Sequence, residues 1–328
     1  MKKLTMILFG IFFLNAFSQN INMEFPYFKG KSYDFIIFQG TGAKAIIKGT
    51  IPEDGKFILT IPNEYFPYNG MSRWLITGTA EGGGLDMLIP GHDFAVVCKE
   101  KKPNEQNILY IRNEAIPELN TLYSKQQKIL AKYEAMRTAK KIFSTEDPHY
   151  RIFELKYQEQ INLYESFQRE LMSNDDYAAR FINIVNITLG VGTKLLNAEK
   201  DNAENINEYI TDQLDWSTLY TSGHWKGVIN SWVSIHTKIF NDPKRFAVDF
   251  SKITGRIKND KHYQDFVKRI AGQLRGKDEF TESIVPVVVI SGKIRVYDDD
   301  LLRFVSGAQK QPAQAFDLIK TNRKVNNH

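Results

Sequence analysis

The sequence predicts an α+β protein, an N-terminal antiparallel β-sandwich or open barrel followed by an all-α helical domain. Three observations lead there. Seven short β-prone runs recur between residues 21 and 111, each bounded by turn residues. From Arg112 the apolar residues change to helical spacing. The 328 residues are 42% hydrophobic, enough for two cores at roughly 100–200 residues per domain.

The β-prone runs are Tyr33 to Phe38, Ala45 to Lys48, Phe57 to Ile61, Trp74 to Thr79, Leu85 to Ile89, Phe94 to Cys98 and Ile108 to Ile111. Turn chemistry separates them, including Gly40-Thr41-Gly42, Asp54-Gly55, Asn69-Gly70 and Pro90-Gly91. Short strands at this spacing argue for a sandwich or barrel. After Asn113, a candidate cap, Leu119, Leu122, Ile129, Tyr133 and Met136 mark a first helix. Asp147-Pro148 announces a second, with the stripe Phe153, Tyr157, Ile161, Tyr164, Phe167 and Leu171. Ser173 to Asp176 resembles a capping box for a third, and further helices fit 203–214, 225–240, 243–258 and 260–274. Residues 284–290 are apolar and β-branched around Pro286, consistent with a buried helix or an edge strand. The domains expected are 19–111 (β), 112–280 (helical) and a C-terminal extension, 281–328, that turns polar from Ser306.

Residues 1–18 read as an address. Lys2 and Lys3 precede an apolar run from Leu4 to Leu14, and Ala16 and Ser18 occupy the −3 and −1 positions for cleavage before Gln19. The run is shorter than the ~20 residues that span a bilayer. The expectation is export to the periplasm or cell envelope, without a transmembrane segment. The net charge of +5 falls to +3 once the leader leaves, with both signs interspersed, so nucleic acid is not an expected partner. A single cysteine, Cys98, excludes an intramolecular disulfide, a CxxC pair and a Cys-rich zinc site.

Several short stretches carry a family resemblance. They are Ile47-Lys48-Gly49-Thr50 with Asp54-Gly55-Lys56-Phe57, then Leu85 to Phe94, then Asp215 to Tyr220 with Gly223-His224-Trp225, and finally Ser306-Gly307-Ala308 with Pro312 to Leu318. Together they resemble exported thioredoxin-like proteins of Bacteroidetes, of the alkyl hydroperoxide reductase/thiol-specific antioxidant type. The resemblance implies a β-domain of unknown function, a helical middle and a C-terminal redox domain. It covers Gly49 to Leu318, and Gln314-Ala315 stands where the family's lead-in has proline. The sequence shown stops before any CxxC, so no catalytic residue of the family has a counterpart in it.

Two candidate sites follow from the residues themselves. Trp216, Trp225 and Trp232 offer aromatic area for a peptide or glycan, against the alternative that residues at i, i+7 form one core stripe. Cys98, followed by Lys99, Lys101 and Lys102, is a candidate reactive thiol, because cations lower a thiol pKa. Alternation with Phe94 and Val96 favours core packing for it. His224, His236 and His262 match no metal-ligand spacing, Glu81 to Gly84 is no phosphate loop, and Asp298 to Asp300 reads as the cap of a helix starting near Leu301. No cofactor is expected. The functional expectation is a non-catalytic exported module that binds or positions a protein, peptide or glycan partner in the cell envelope. The alternative is a truncated thiol–disulfide oxidoreductase.

Overall fold

A computed structural model describes residues 18–80 and 82–307. The expected leader up to Phe17, Glu81 of the triglycine loop, and the polar tail with its Pro312 to Leu318 stretch lie outside the described residues.

Among the described residues, those from 18 to 111 form eight strands: β1 Gln19–Glu24, β2 Ser32–Gln39, β3 Gly42–Thr50, β4 Lys56–Ile61, β5 Asn69–Thr77, β6 Gly84–Pro90, β7 Phe94–Val97 and β8 Leu109–Ile111. They make two four-stranded sheets, ordered β4-β1-β7-β8 and β3-β2-β5-β6. Side-chain alternation sets which face is buried. Ile21, Met23, Leu59, Ile61, Phe94 and Val96 of one sheet meet Tyr33, Phe35, Ile37, Trp74, Met87 and Ile89 of the other in one apolar cluster. The sandwich is therefore as expected, with two differences. Strand β1 was not among the β-prone runs, since Gln-Asn-Ile-Asn-Met-Glu carries only two apolar side chains, Ile21 and Met23, both directed inward. Its pairing with β7 is parallel, while all other strand pairs among the described residues are antiparallel.

Among the described residues ten α-helices follow: α1 Ala115–Ile142, α2 Tyr150–Ser173, α3 Tyr177–Thr188, α4 Glu199–Asp212, α5 Trp216–Tyr220, α6 Trp225–Ser234, α7 Pro243–Arg256, α8 Asp260–Gln273, α9 Asp278–Ser291 and α10 Asp299–Gly307. Asp242 caps α7 through Lys244 N–H and Arg245 N–H, and Asp298 accepts the Leu301 N–H at the head of α10. The ambiguous run 284–290 is the second half of α9. Pro286 sits on its exposed side, where water can serve the carbonyl that loses its donor. The helix expected over 225–240 changes character at its end, where Ile235–Phe240 is a π-helix.

The apolar cores do not divide at residue 112. Ile116, Leu122, Phe167, Leu171, Ala179 and Ile182 of α1 to α3 join the sandwich cluster. On the outer side of the β3-β2-β5-β6 sheet, Leu88 is buried and its carbonyl accepts from Asn113 at 2.9 Å. The second core starts at Ile184, two residues further along α3, and runs to Val305. Helix α3 thus belongs to both cores.

The sandwich and the later helices are also joined directly. Gly40 N–H donates to the Tyr220 carbonyl at 2.7 Å, and Met71 N–H to the Thr221 carbonyl at 2.9 Å. The Tyr68 hydroxyl donates to the Met71 carbonyl at 2.6 Å and accepts the Phe38 N–H at 3.1 Å. Glycine is required where the chains approach. A Cβ on Gly70 would lie 2.4 Å from Thr221 Cβ; one on Gly40, whose φ is +57°, would lie 1.9 Å from an Asp265 carboxylate oxygen.

A polar group sits inside the helical core. His236, in the π-helix, is fully buried and its Nε2 lies 2.9 Å from Asn207 Oδ1. The same oxygen accepts the Trp232 indole N–H at 2.9 Å, and the Asn207 amide donates to Asp249 at 2.9 Å. Nε2 therefore carries the imidazole proton, and Nδ1 is bare and without a partner. Burial, seconded by the Arg245 charge, holds the His236 pKa down at about 3.

Two outcomes are expected. Gly40→Ala combines a left-handed backbone with a steric clash and lowers stability by at least about 1–2 kcal/mol, read from the urea midpoint. For His236 the folded pKa lies below the unfolded value, so above pH 6.5 it costs nothing. Between pH 6.5 and about 3 the unfolded chain takes up a proton that the folded chain does not, and stability falls. His236→Gln should lose less stability than the parent between pH 7 and pH 4.5 in parallel urea titrations; equal losses would contradict this assignment.

Candidate functional site

Where the sandwich meets the helices, the joint leaves an open groove of about 590 Å³. That is within the range of roughly 300–1,000 Å³ of ligand clefts, which favour boundaries between structural units. Its walls come from three distant parts of the chain: the β2–β3 turn, the solvent side of α8, and the irregular segment between α9 and α10.

Helix α8 is amphipathic. Tyr263, Phe266, Val267 and Ile270 are buried in the helical core, which leaves Asp260, Lys261, Gln264, Asp265 and Lys268 for the groove. The Asn259 side chain caps its first turn by accepting the Lys261 and His262 N–H groups at 2.9 and 3.2 Å. Asp265 accepts the Thr41 N–H at 2.7 Å, pinning the hairpin turn against the helix. Arg295 pairs with Asp260 at 2.7 Å, and Lys268 with Asp298 at 2.7 Å. Gln264 donates to the Val296 carbonyl at 3.1 Å, holding the third wall in place. Among the described residues, the side chains of Lys261 and Gln39 make no hydrogen bond or ion pair, so they are the groove's uncommitted polar groups.

The floor is aromatic. The Tyr220 ring stacks on His262 with centroids 3.6 Å apart and planes 19° from parallel. Tyr220 lines the groove, while His262 lines a second cavity of about 290 Å³ beside Trp216 and Lys258. Burial, together with the Lys261 charge, lowers the His262 pKa to about 4, so the ring is neutral at pH 7. Burial also pushes the Tyr220 hydroxyl up to about 12. The groove presents an ammonium, amide donors and acceptors, and the edge of a neutral aromatic pair. This is the equipment of recognition by hydrogen bonding, suited to a polar partner with main-chain amides.

The residues singled out from sequence lie elsewhere. Trp216, Trp225 and Trp232 are 5%, 0% and 1% exposed and form no surface. Trp216 meets Trp225 edge-to-face at 5.8 Å and Phe266 at 5.0 Å, and Trp232 lies 4.9 Å from Phe246. The candidate ligand platform is corrected to a core stripe, as i, i+7 spacing on an amphipathic helix allows. Cys98 is 1% exposed beside Phe94 and Val96, its Sγ 3.5 Å from the Asn107 side-chain carbonyl. Its lysine neighbours point to solvent, and the thiol faces away from it. His224 packs edge-on against Phe181 at 5.5 Å; it, His236 and His262 occupy three separate environments.

Gln39, Tyr220, Lys261 and Asp265 were not singled out from sequence. No spacing rule links a hairpin turn near residue 40 to a helix near residue 265. The available signal was the turn Gly40-Thr41-Gly42, whose first glycine is where another chain segment approaches closely. Among the described residues no helix is long and apolar enough to cross a membrane. Comparisons with protein-family models, with curated proteins and with solved structures find no match for the chain.

Proposed function

We propose that this chain is a non-catalytic module, exported to the cell envelope, that binds a partner in the groove between its sandwich and its helices. The observation that carries the reading is the groove itself. It is the place where both parts of the molecule contribute polar side chains, and Gln39 and Lys261 face it without internal partners. Two buried carboxamide groups elsewhere are tied into intramolecular networks, Gln126 with Asn186 and Asn207 with Asp249. The address-like residues 1–18 support the location, and the resemblance to exported thioredoxin-like proteins supports a role beside a redox partner.

The rigid surroundings favour binding over chemistry. Asp260, Asp265 and Lys268 are each held by a named partner, so the groove is preorganised and orders few side chains when it is filled. A partner gains from Lys261 and Gln39, which give up only water.

The expected outcome is that Lys261→Glu weakens partner binding by about tenfold or more, since it replaces an attraction by a repulsion. The exposed position predicts a melting temperature close to that of the parent. The measurement is titration of the intact protein with peptides selected on it from a random displayed library. Unchanged affinity in Lys261→Glu, or a selection that yields no binder, would overturn the assignment.

A further inference from the structure

We infer that the partner is an extended peptide segment, and that it binds by adding a strand to the open edge of β3 where that edge enters the groove. This rests on the groove being the binding site and names the class of its occupant.

The argument begins with sheet order. In β3-β2-β5-β6, β3 is an outer strand with β2 on one side. Gln39 and Gly42 face each other across a two-residue turn, which makes them a hydrogen-bonded pair, and Ile37 and Lys44 form the next. Phe38 opposite Ala43 and Ile36 opposite Ala45 are then non-bonded pairs, whose main-chain groups point away from each other. Phe38 bears this out independently: its N–H donates to the Tyr68 hydroxyl, and its carbonyl lies 3.1 Å from that hydroxyl on the β5 side. The N–H and C=O of Ala43 and Ala45 are therefore aimed outward from the free edge. Among the described residues no other backbone group meets them.

The side chains leave this stretch accessible. Gly42, Ala43, Lys44 and Ala45 are all exposed, and three of the four are glycine or alanine, so another backbone can approach to strand distance. Further along, the edge is blunted. The register shifts between Phe35 and Ile36, leaving Ile46 as an extra residue. A bulge of that kind ends regular pairing. The regular edge on the turn side of the bulge is residues 42–45, which touch the groove at Gly42.

An added strand would run from this edge into the space below Arg295 and Val296. Alternate side chains would point toward α8, where the unpaired Lys261 favours an acidic one. Main-chain bonds supply affinity in this mode and the groove supplies selectivity.

The test uses the intact chain and a fluorescent synthetic peptide, the best binder from a displayed random dodecapeptide library. Ala45→Pro removes an outward N–H without removing any β2–β3 bond, and proline is tolerated on edge strands. It should weaken peptide binding by about tenfold. In the parent protein the amides of Ala43 and Ala45 should exchange more slowly with deuterium once the peptide is added; this readout does not depend on how well the proline variant folds. If those amides exchange at unchanged rates while Lys261→Glu still abolishes binding, strand addition fails and the groove remains the site. If Lys261→Glu also binds normally, both readings fail.

Discussion

Two backbone hydrogen bonds join the sandwich to the later helices, Gly40 to Tyr220 and Met71 to Thr221. Main-chain atoms of two separate folding units can reach 2.7–2.9 Å only where no side chain intervenes. Gly40 and Gly70 supply that access. Everything at the groove depends on this approach. It brings Thr41 to Asp265 and sets Gln39 and Gly42 at the wall of the groove that Lys261 also lines. The Tyr68 hydroxyl stabilises the arrangement by serving Phe38 and Met71 together, which fixes the end of β2 relative to the start of β5. A tyrosine that ties two strands beside a joint costs little, because its ring is already buried in the sandwich core.

The two cores meet in α3, and the residues there differ from those at the joint. Asn186 faces α1 and α2, where Gln126 exchanges two hydrogen bonds with it at 2.8 and 2.9 Å and Tyr164 lies 3.5 Å from its amide. A satisfied amide pair between packed helices fixes their relative register, because any slip would bury donors and acceptors without partners. Apolar contact alone would tolerate neighbouring registers. The second core shows the same principle in Asn207, whose side chain serves Trp232, His236 and Asp249 at once. In each core a carboxamide makes a single packing arrangement preferable to its neighbours.

The fold was legible in proportion to how local its causes are. The run from Tyr33 to Phe38, the helix over 243–258 and the stripe from Tyr157 to Leu171 each depend on residues within one element, and these agree with the structure. Strand β1 escaped because half its residues face solvent and are polar. The parallel pairing with β7 escaped because register between strands some seventy residues apart leaves no local trace. The residues around Pro286 were ambiguous for a physical reason. Valine and isoleucine favour strands when a backbone is free to choose, and here burial of Ile284, Val285, Val288 and Val289 against the helical core decides for helix. The candidate site was the least legible. Aromatic residues and a thiol attract attention by type, yet burial removes all four of them from the surface. The groove is made instead from ordinary lysine, glutamine and glycine, whose meaning comes from their meeting.

The parallel contact between β1 and β7 also sets an order of events. A ribosome delivers the chain from its N-terminus, so β1 is made first, but its two neighbours in the sheet are β4 and β7. Its apolar side, Ile21 and Met23, stays without a complete partner until residue 97 has emerged. The hairpin-linked strands β2, β3, β5 and β6 pair with near neighbours and can assemble before that. The first strand of the fold therefore completes its pairing only once β7 has been made.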